Sequence, residues 1–148
     1  MPLGFLVTDQ MAADAAKQPQ GAFDMLMHAG DIAYAGTSAT REFEEIWDLW
    51  SNQVQVLASV SPYMTAVGNH EKYYNFTSYL SRLDMPFDRN AQRNFYFSFD
   101  YGLVHFVCIC TETYAFDYAP GTPQYKWIEQ ASLLSLSSSF LLFPSLSF

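Results

Sequence analysis

Twice in this chain an apolar run stops at a glycine followed by a short polar side chain, and an amphipathic helix separates the two. The first run is "FDMLMHA", residues 23–29, which ends at Gly30-Asp31. The second is "YMTAVG", which ends at Asn69-His70-Glu71. Apolar runs of this length bounded by glycine suit strands covered on both faces. Between them lies "TREFEEIWDLWSNQVQVLASV", where Phe43, Ile46, Trp47 and Trp50 recur at helical spacing among acidic residues. That aromatic stripe is expected to pack into the core. Strand, helix and strand in this order predict an α/β layer, whose strand-end loops gather into one crevice.

The remaining segments fit the same class. "GFLVTDQMAADAAKQ" has two readings: a short strand ending in Asp9, or a helix from Phe5 to Lys17. The "PQG" at Pro19 to Gly21 breaks either one. "NHEKYYNFTSYLSRLDMPFD" reads as a loop with one or two helical turns. "NFYFSFDYGLVHFVCIC" reads as a hairpin with its turn at Asp100-Tyr101-Gly102. "TPQYKWIEQ" opens a helix, with Pro123 in its first turn. The uncharged tail "SLLSLSSSFLLFPSLSF" is expected to lie outside the fold. It is too short, too rich in serine and too interrupted by Pro144 to span a bilayer.

Charge narrows the partners. The 148 residues carry a formal net charge of -8. That argues against nucleic acid and against anionic membranes, both of which need basic patches. The same surface repels phosphate unless bound cations reverse the local sign.

Cys108 and Cys110 sit at i and i+2 on an expected strand. Their Cα atoms would be about 6.5–7 Å apart, at or beyond the disulfide limit. They are expected to be two buried thiols. The start "MPLGFLV" shows no secretory signal pattern, and Asn75-Phe76-Thr77 is an N-glycosylation sequon.

Asp31 offers a hard carboxylate able to bridge cations, Asn69 an amide carbonyl for a divalent ion, and Tyr34 a phenolate suited to ferric iron. Each type is common in turns. Their joint placement after two buried strands is what points to a metal site.

"HAGDIAYAG" and "VGNHE" resemble two signatures of the purple acid phosphatases, within the calcineurin-like metallophosphoesterases. Further matching stretches are "PYMTAVGNHEK", "NFTSYLSRLDMP", "FYFSFDYGLVHFV" and "PGTPQYKWIE". The resemblance covers about residues 2–130. It implies a partial metallophosphoesterase αββα sandwich, with mixed sheets flanked by helices, over residues 1–130. Residues 131–148 would be a non-family tail.

By that resemblance Asp31 would bridge two metals, Tyr34 would bind Fe(3+), and Asn69 would bind a divalent Zn, Mn or Fe. His70 would act on the substrate or leaving group rather than as a direct ligand. The reaction would be hydrolysis of small phosphate monoesters by in-line attack of metal-activated water. The intact family is secreted or vacuolar.

Several parts of the family pattern are missing. There is no GDxG and no GHxH. On the family reading Asp9 falls in a helix after the missing GDxG, as a solvated residue. Only His28, His70 and His105 are present. His28 and His105 are expected to be satisfied interior histidines. The chain therefore reads as truncated at both ends, with translated intron or frameshifted sequence after Gln130, and phosphatase activity is expected to be weak or absent. Two other readings stand beside this one. One is a non-catalytic interaction protein that self-associates through exposed sheet edges. The other is a weak mononuclear metal binder using Asp31 and Asn69.

Overall fold

The computed structural model describes residues 3–17, 23–36, 40–86, 94–112, 119–134 and 139–144. The fold is mixed α/β. Its elements are α1 (Leu3–Ala16), β1 (Leu26–Ala29), α2 (Glu44–Ala58), β2 (Tyr63–Ala66), α3 (Thr77–Arg82), β3 (Phe97–Tyr101), β4 (Val104–Ile109), α4 (Pro123–Leu134) and β5 (Ser139–Pro144). Two 3-10 turns, Asn69–Glu71 and Tyr73–Phe76, precede α3. The chain packs as two compact units, Met1–His28 with Ala33–Met64, and Ala29–Ile32 with Thr65–Phe148.

In the first unit the "GFLVTDQM" ambiguity resolves as helix α1, with Asp9 exposed on it. It packs along α2, where Gln53 Nε2 donates to Thr8 Oγ1 at 2.8 Å. Glu44 and Glu45 occupy the first turn of α2, where the helix dipole favours negative charge. The buried residues of α2 are Trp47, Val54 and Leu57.

The expected stripe holds at Trp47 and, half-buried, at Trp50, and fails at its N-terminal end. Phe43 and Ile46 are exposed, and the Arg41 guanidinium lies 4.9 Å from the Phe43 ring centroid. Phe43 is the N-cap residue, with extended backbone at φ -112° and ψ 110°, so it stands outside the helix whose period would otherwise carry it onto the face of Trp47, Val54 and Leu57. Trp47 is anchored by its Nε1–H, which donates to Glu42 Oε1 at 2.8 Å. Trp50 meets Trp47, Tyr63 and His28 edge-on or tilted. His28 is the interior histidine expected, half-buried, with Nδ1 3.0 Å from the Tyr63 hydroxyl.

β1 and β2 pair in a two-stranded sheet. β1 begins at Leu26, later than the apolar run. Leu26 N–H donates to Pro62 O at 2.9 Å, and Ser61 Oγ–H to Phe23 O at 2.9 Å.

In the second unit β3 and β4 form the antiparallel hairpin, in a register that pairs Phe97 with Cys108 and Tyr101 with Val104. The turn is thus Gly102-Leu103, one residue beyond the expected centre. The left-handed φ of +61° falls on Gly102, which has no Cβ to clash.

β5 pairs in parallel with β4, from Val104↔Ser139 to Ile109↔Pro144. With α4 between them, β4, α4 and β5 form a β-α-β unit. The tail was expected to lie outside the fold, yet α4 runs to Leu134 and residues 139–144 form a strand. The uncharged Phe-Leu-Leu-Phe run at residues 140–143 suits a strand despite the serine-rich composition around it.

Gln124 joins α4 to β4. Its Oε1 accepts from Cys110 N–H and its Nε2 donates to Cys110 O, each at 2.8 Å. A fully buried side-chain amide thus stands in for a neighbouring strand. Cys108 and Cys110 are free and buried, as expected. His105 is buried with Nδ1 2.6 Å from Asp100 Oδ1. Its Nε2 has no hydrogen-bond partner among the described residues, so it is only half satisfied.

Candidate metal centre

All the close contacts of the site lie within the second unit, between the turn after β1 and the turn after β2. Gly30 and Asp31 both have left-handed backbone, at φ +89° and +52°. Glycine adopts it freely, and aspartate tolerates it better than most residues. This turn brings the backbone of residues 30–31 directly against Gly68. A Cβ on Gly68 would sit 2.3 Å from Asp31 Oδ1 and 2.4 Å from Asp31 N. A Cβ on Gly30 would sit 3.0 Å from Gly68 Cα. The two glycines are therefore what lets the two strand tips meet.

Asp31 is buried, with 7% of its surface exposed. His70 N–H donates to its Oδ1 at 3.1 Å. The Asn69 amide, turned to donate, places Nδ2 3.0 Å from Asp31 Oδ1 and 3.3 Å from Oδ2. Asp31, Asn69 and His70 are thus brought together. Tyr34 belongs to the other unit, where it is exposed and has a left-handed φ of 53°. Among the described residues no three His, Cys, Asp or Glu side chains group as metal ligands.

The expected site residues do not include Glu71, which is 1% exposed at the heart of this junction. Its Oε2 accepts from Asp31 N–H at 3.0 Å and from Gly68 N–H at 2.8 Å. Its Oε1 accepts from Ile32 N–H at 2.8 Å. Burial pushes its carboxyl above the usual range, and the neighbouring Asp31 charge adds to that; the N–H bonds from Ile32, Gly68 and Asp31 pull the other way. A signal was present in the sequence. Glu71 stands three positions after Gly68, the spacing at which an acid reaches back to the N–H at the start of a helical turn.

Chemically, the junction presents a carboxylate and an amide carbonyl side by side. Both are hard oxygen donors, the type that divalent cations such as Mg2+ and Ca2+ take. The amide that donates to Asp31 can turn its oxygen toward a cation instead, because its two ends are similar in size and opposite in polarity.

The calcineurin-like phosphoesterase family matches residues 7–139, and the chain belongs to that family. Its relatives include purple acid phosphatases, other acid phosphatases and a nucleotide pyrophosphatase/phosphodiesterase of Hordeum vulgare. It is 34% identical over 113 residues to acid phosphatase type 7 of Mus musculus, a stretch covering 74% of this chain and 24% of the mouse protein. It is 35% identical over 115 residues to probable purple acid phosphatase 20 of Arabidopsis thaliana, covering 72% and 25%. Probable inactive purple acid phosphatase 27 of the same plant is 32% identical over 151 residues, covering 92% and 23%. The fold is similar to that of a purple acid phosphatase from yellow lupin (Lupinus luteus) seeds, with a TM-score of 0.68 and 28% identity, over 86% of this chain and 22% of that one. The chain spans about a quarter to a third of the length of the curated relatives named here.

Proposed function

We propose that this chain carries the Asp31–Asn69 part of a site for hydrolysing small phosphate monoesters, of the purple acid phosphatase type. The observation that carries the reading is the meeting of Asp31 and Asn69 at two neighbouring strand tips, with an amide nitrogen 3.0 Å from a carboxylate oxygen. Asp31 and Asn69 would hold a divalent Zn, Mn or Fe ion. A bound cation would neutralise phosphoryl charge and lower the pKa of coordinated water. Asp31 is kept in position by the N–H of His70. His70 would orient the phosphoryl group or hand a proton to the leaving alcohol, because it adjoins Asn69 and is only partly buried.

Two oxygen donors do not make a closed dinuclear centre. A ferric ion bound through Tyr34 belongs to the same proposal, and so do weak or absent turnover by this chain alone and a secretory or vacuolar location. The exposed Asn75 of the sequon supports that location.

The test is metal analysis of the purified chain, followed by assay with a chromogenic phosphate monoester. Bound iron with a visible tyrosinate band and turnover supports the full reading. One weakly held divalent ion without turnover supports the mononuclear alternative. A metal-free, inactive oligomer removes the metal reading and favours an interaction protein.

A further inference from the structure

We propose that Glu71 is a positioning residue: it clamps the Gly30-Asp31 turn to the Gly68-Asn69 turn and so sets where the two cation donors stand. The inference rests on the metal reading above, and deepens it.

The argument is geometric. Without Glu71, three buried N–H groups, those of Asp31, Ile32 and Gly68, would point into one small space without the acceptor they have now. Two of them come from one strand tip and the third from the other. A single carboxylate accepts all three, and its oxygens divide the work: Oε2 joins Asp31 to Gly68, and Oε1 holds Ile32. The two donor side chains hang from these same tips. Asp31 is itself one of the bonded residues, and Asn69 directly follows Gly68.

The left-handed backbone at Gly30 and Asp31 is what aims successive N–H groups at one point. Three of the roughly four acceptor positions of the carboxylate are taken by these N–H groups. On this reading Glu71 acts by holding the turns that carry Asp31 and Asn69. Partners that fix a ligand in this way commonly control metal affinity without touching the metal.

The test uses the full chain and Mn2+ alone. Mn2+ is titrated into wild type, Glu71→Gln and Glu71→Asp, and each variant's fold is checked by melting in chelator. Glu71→Gln turns one accepting oxygen into an NH2 that faces N–H donors. It is expected to weaken Mn2+ binding about 10–100-fold. Glu71→Asp keeps the charge and is expected to recover part of that loss. Val107→Ala, in the buried part of β4, is the control, expected to lower the melting temperature and leave Mn2+ affinity unchanged. Wild-type affinity in Glu71→Gln overturns the proposal. So does an equal loss of affinity in Val107→Ala.

A second measurement needs neither variant nor metal. In isotope-labelled wild type, through-hydrogen-bond couplings are expected between the Glu71 carboxyl carbon and the amide nitrogens of Asp31, Ile32 and Gly68. Their absence overturns the clamp. If the couplings are present and wild type binds no Mn2+, the metal reading fails and the clamp stands.

Discussion

The backbone N–H of His70 donates to the Asp31 carboxylate at 3.1 Å, across 39 positions of sequence. A main-chain donor, fixed by the turn after β2, thus orients the Asp31 carboxylate. Asp31→Asn removes the charge and leaves an amide oxygen for the His70 N–H. Asparagine also tolerates the left-handed φ at this position. The expected result is a fold with near-normal melting and Mn2+ affinity reduced more than about 100-fold, beyond what residues behind a ligand usually command. Calorimetric titration beside a thermal melt measures both.

Gly68→Ala is expected to be among the most damaging single-carbon changes in the chain. Its Cβ would lie 2.3 Å from Asp31 Oδ1 and 2.4 Å from Asp31 N. The second of these is main chain and cannot rotate away. Overpacking of this kind costs about 1–3 kcal/mol or more, and here it would also push the two turns apart. Urea denaturation should show the loss of stability, and Mn2+ titration a loss of affinity.

The thiols give a prediction in pH. Burial pushes Cys108 from 9.0 up to about 12, and Cys110 up to about 11. At pH 8 about one Cys110 in a thousand, and fewer Cys108, would be thiolate, the reactive form. A thiol reagent should label neither until the protein unfolds. Raised values also mean that the folded state holds these protons more tightly than the unfolded chain does. The stability this contributes is intact below pH 9, and is lost as pH climbs from 9 toward 11 and then 12. A melting series over that range should fall, and should flatten in Cys108→Ala/Cys110→Ala.

Asn94 supplies a test of the scaffold alone. It has a left-handed φ of 56° and is 1% exposed. Its Oδ1 accepts from Met85 N–H at 2.9 Å, its Nδ2 donates to Leu83 O, and its own carbonyl accepts from the buried Tyr79 hydroxyl at 3.2 Å. Asn94→Ala strands the Met85 N–H and strains the backbone, at about 1–3 kcal/mol for the orphaned group alone. Asn94→Gly relieves the strain but restores no bond, and should fall between the two. Denaturant midpoints are the check.

How much of this was readable beforehand depended on the range of the interaction. The β1–α2–β2 pattern was legible because its period is local, and Asp31 and Asn69 because each follows a glycine at a strand end. The sequence does not show that Phe43 falls outside α2, because helical spacing carries no mark of where the first turn begins. Nor does it show that Ile46, at the margin of the apolar face, stays uncovered. Glu71 went unnoticed for a related reason. A charged residue in a loop reads as solvated, and only its three donors, two of them about 40 positions away, explain why it is buried. The strand at residues 139–144 was hidden by serine-rich composition, since parallel pairing needs a partner far off in sequence.

The cluster of amides around Glu71 has a bearing on selectivity. Converging backbone N–H groups at a turn are a common cradle for phosphate oxygens, and here that cradle is filled by the protein's own carboxylate. An arriving oxyanion finds no vacant main-chain hole at this junction. On the proposed reading, the charge that meets a phosphate would come from bound cations and side chains, and emptying the junction of cations should make it indifferent, or hostile, to phosphate.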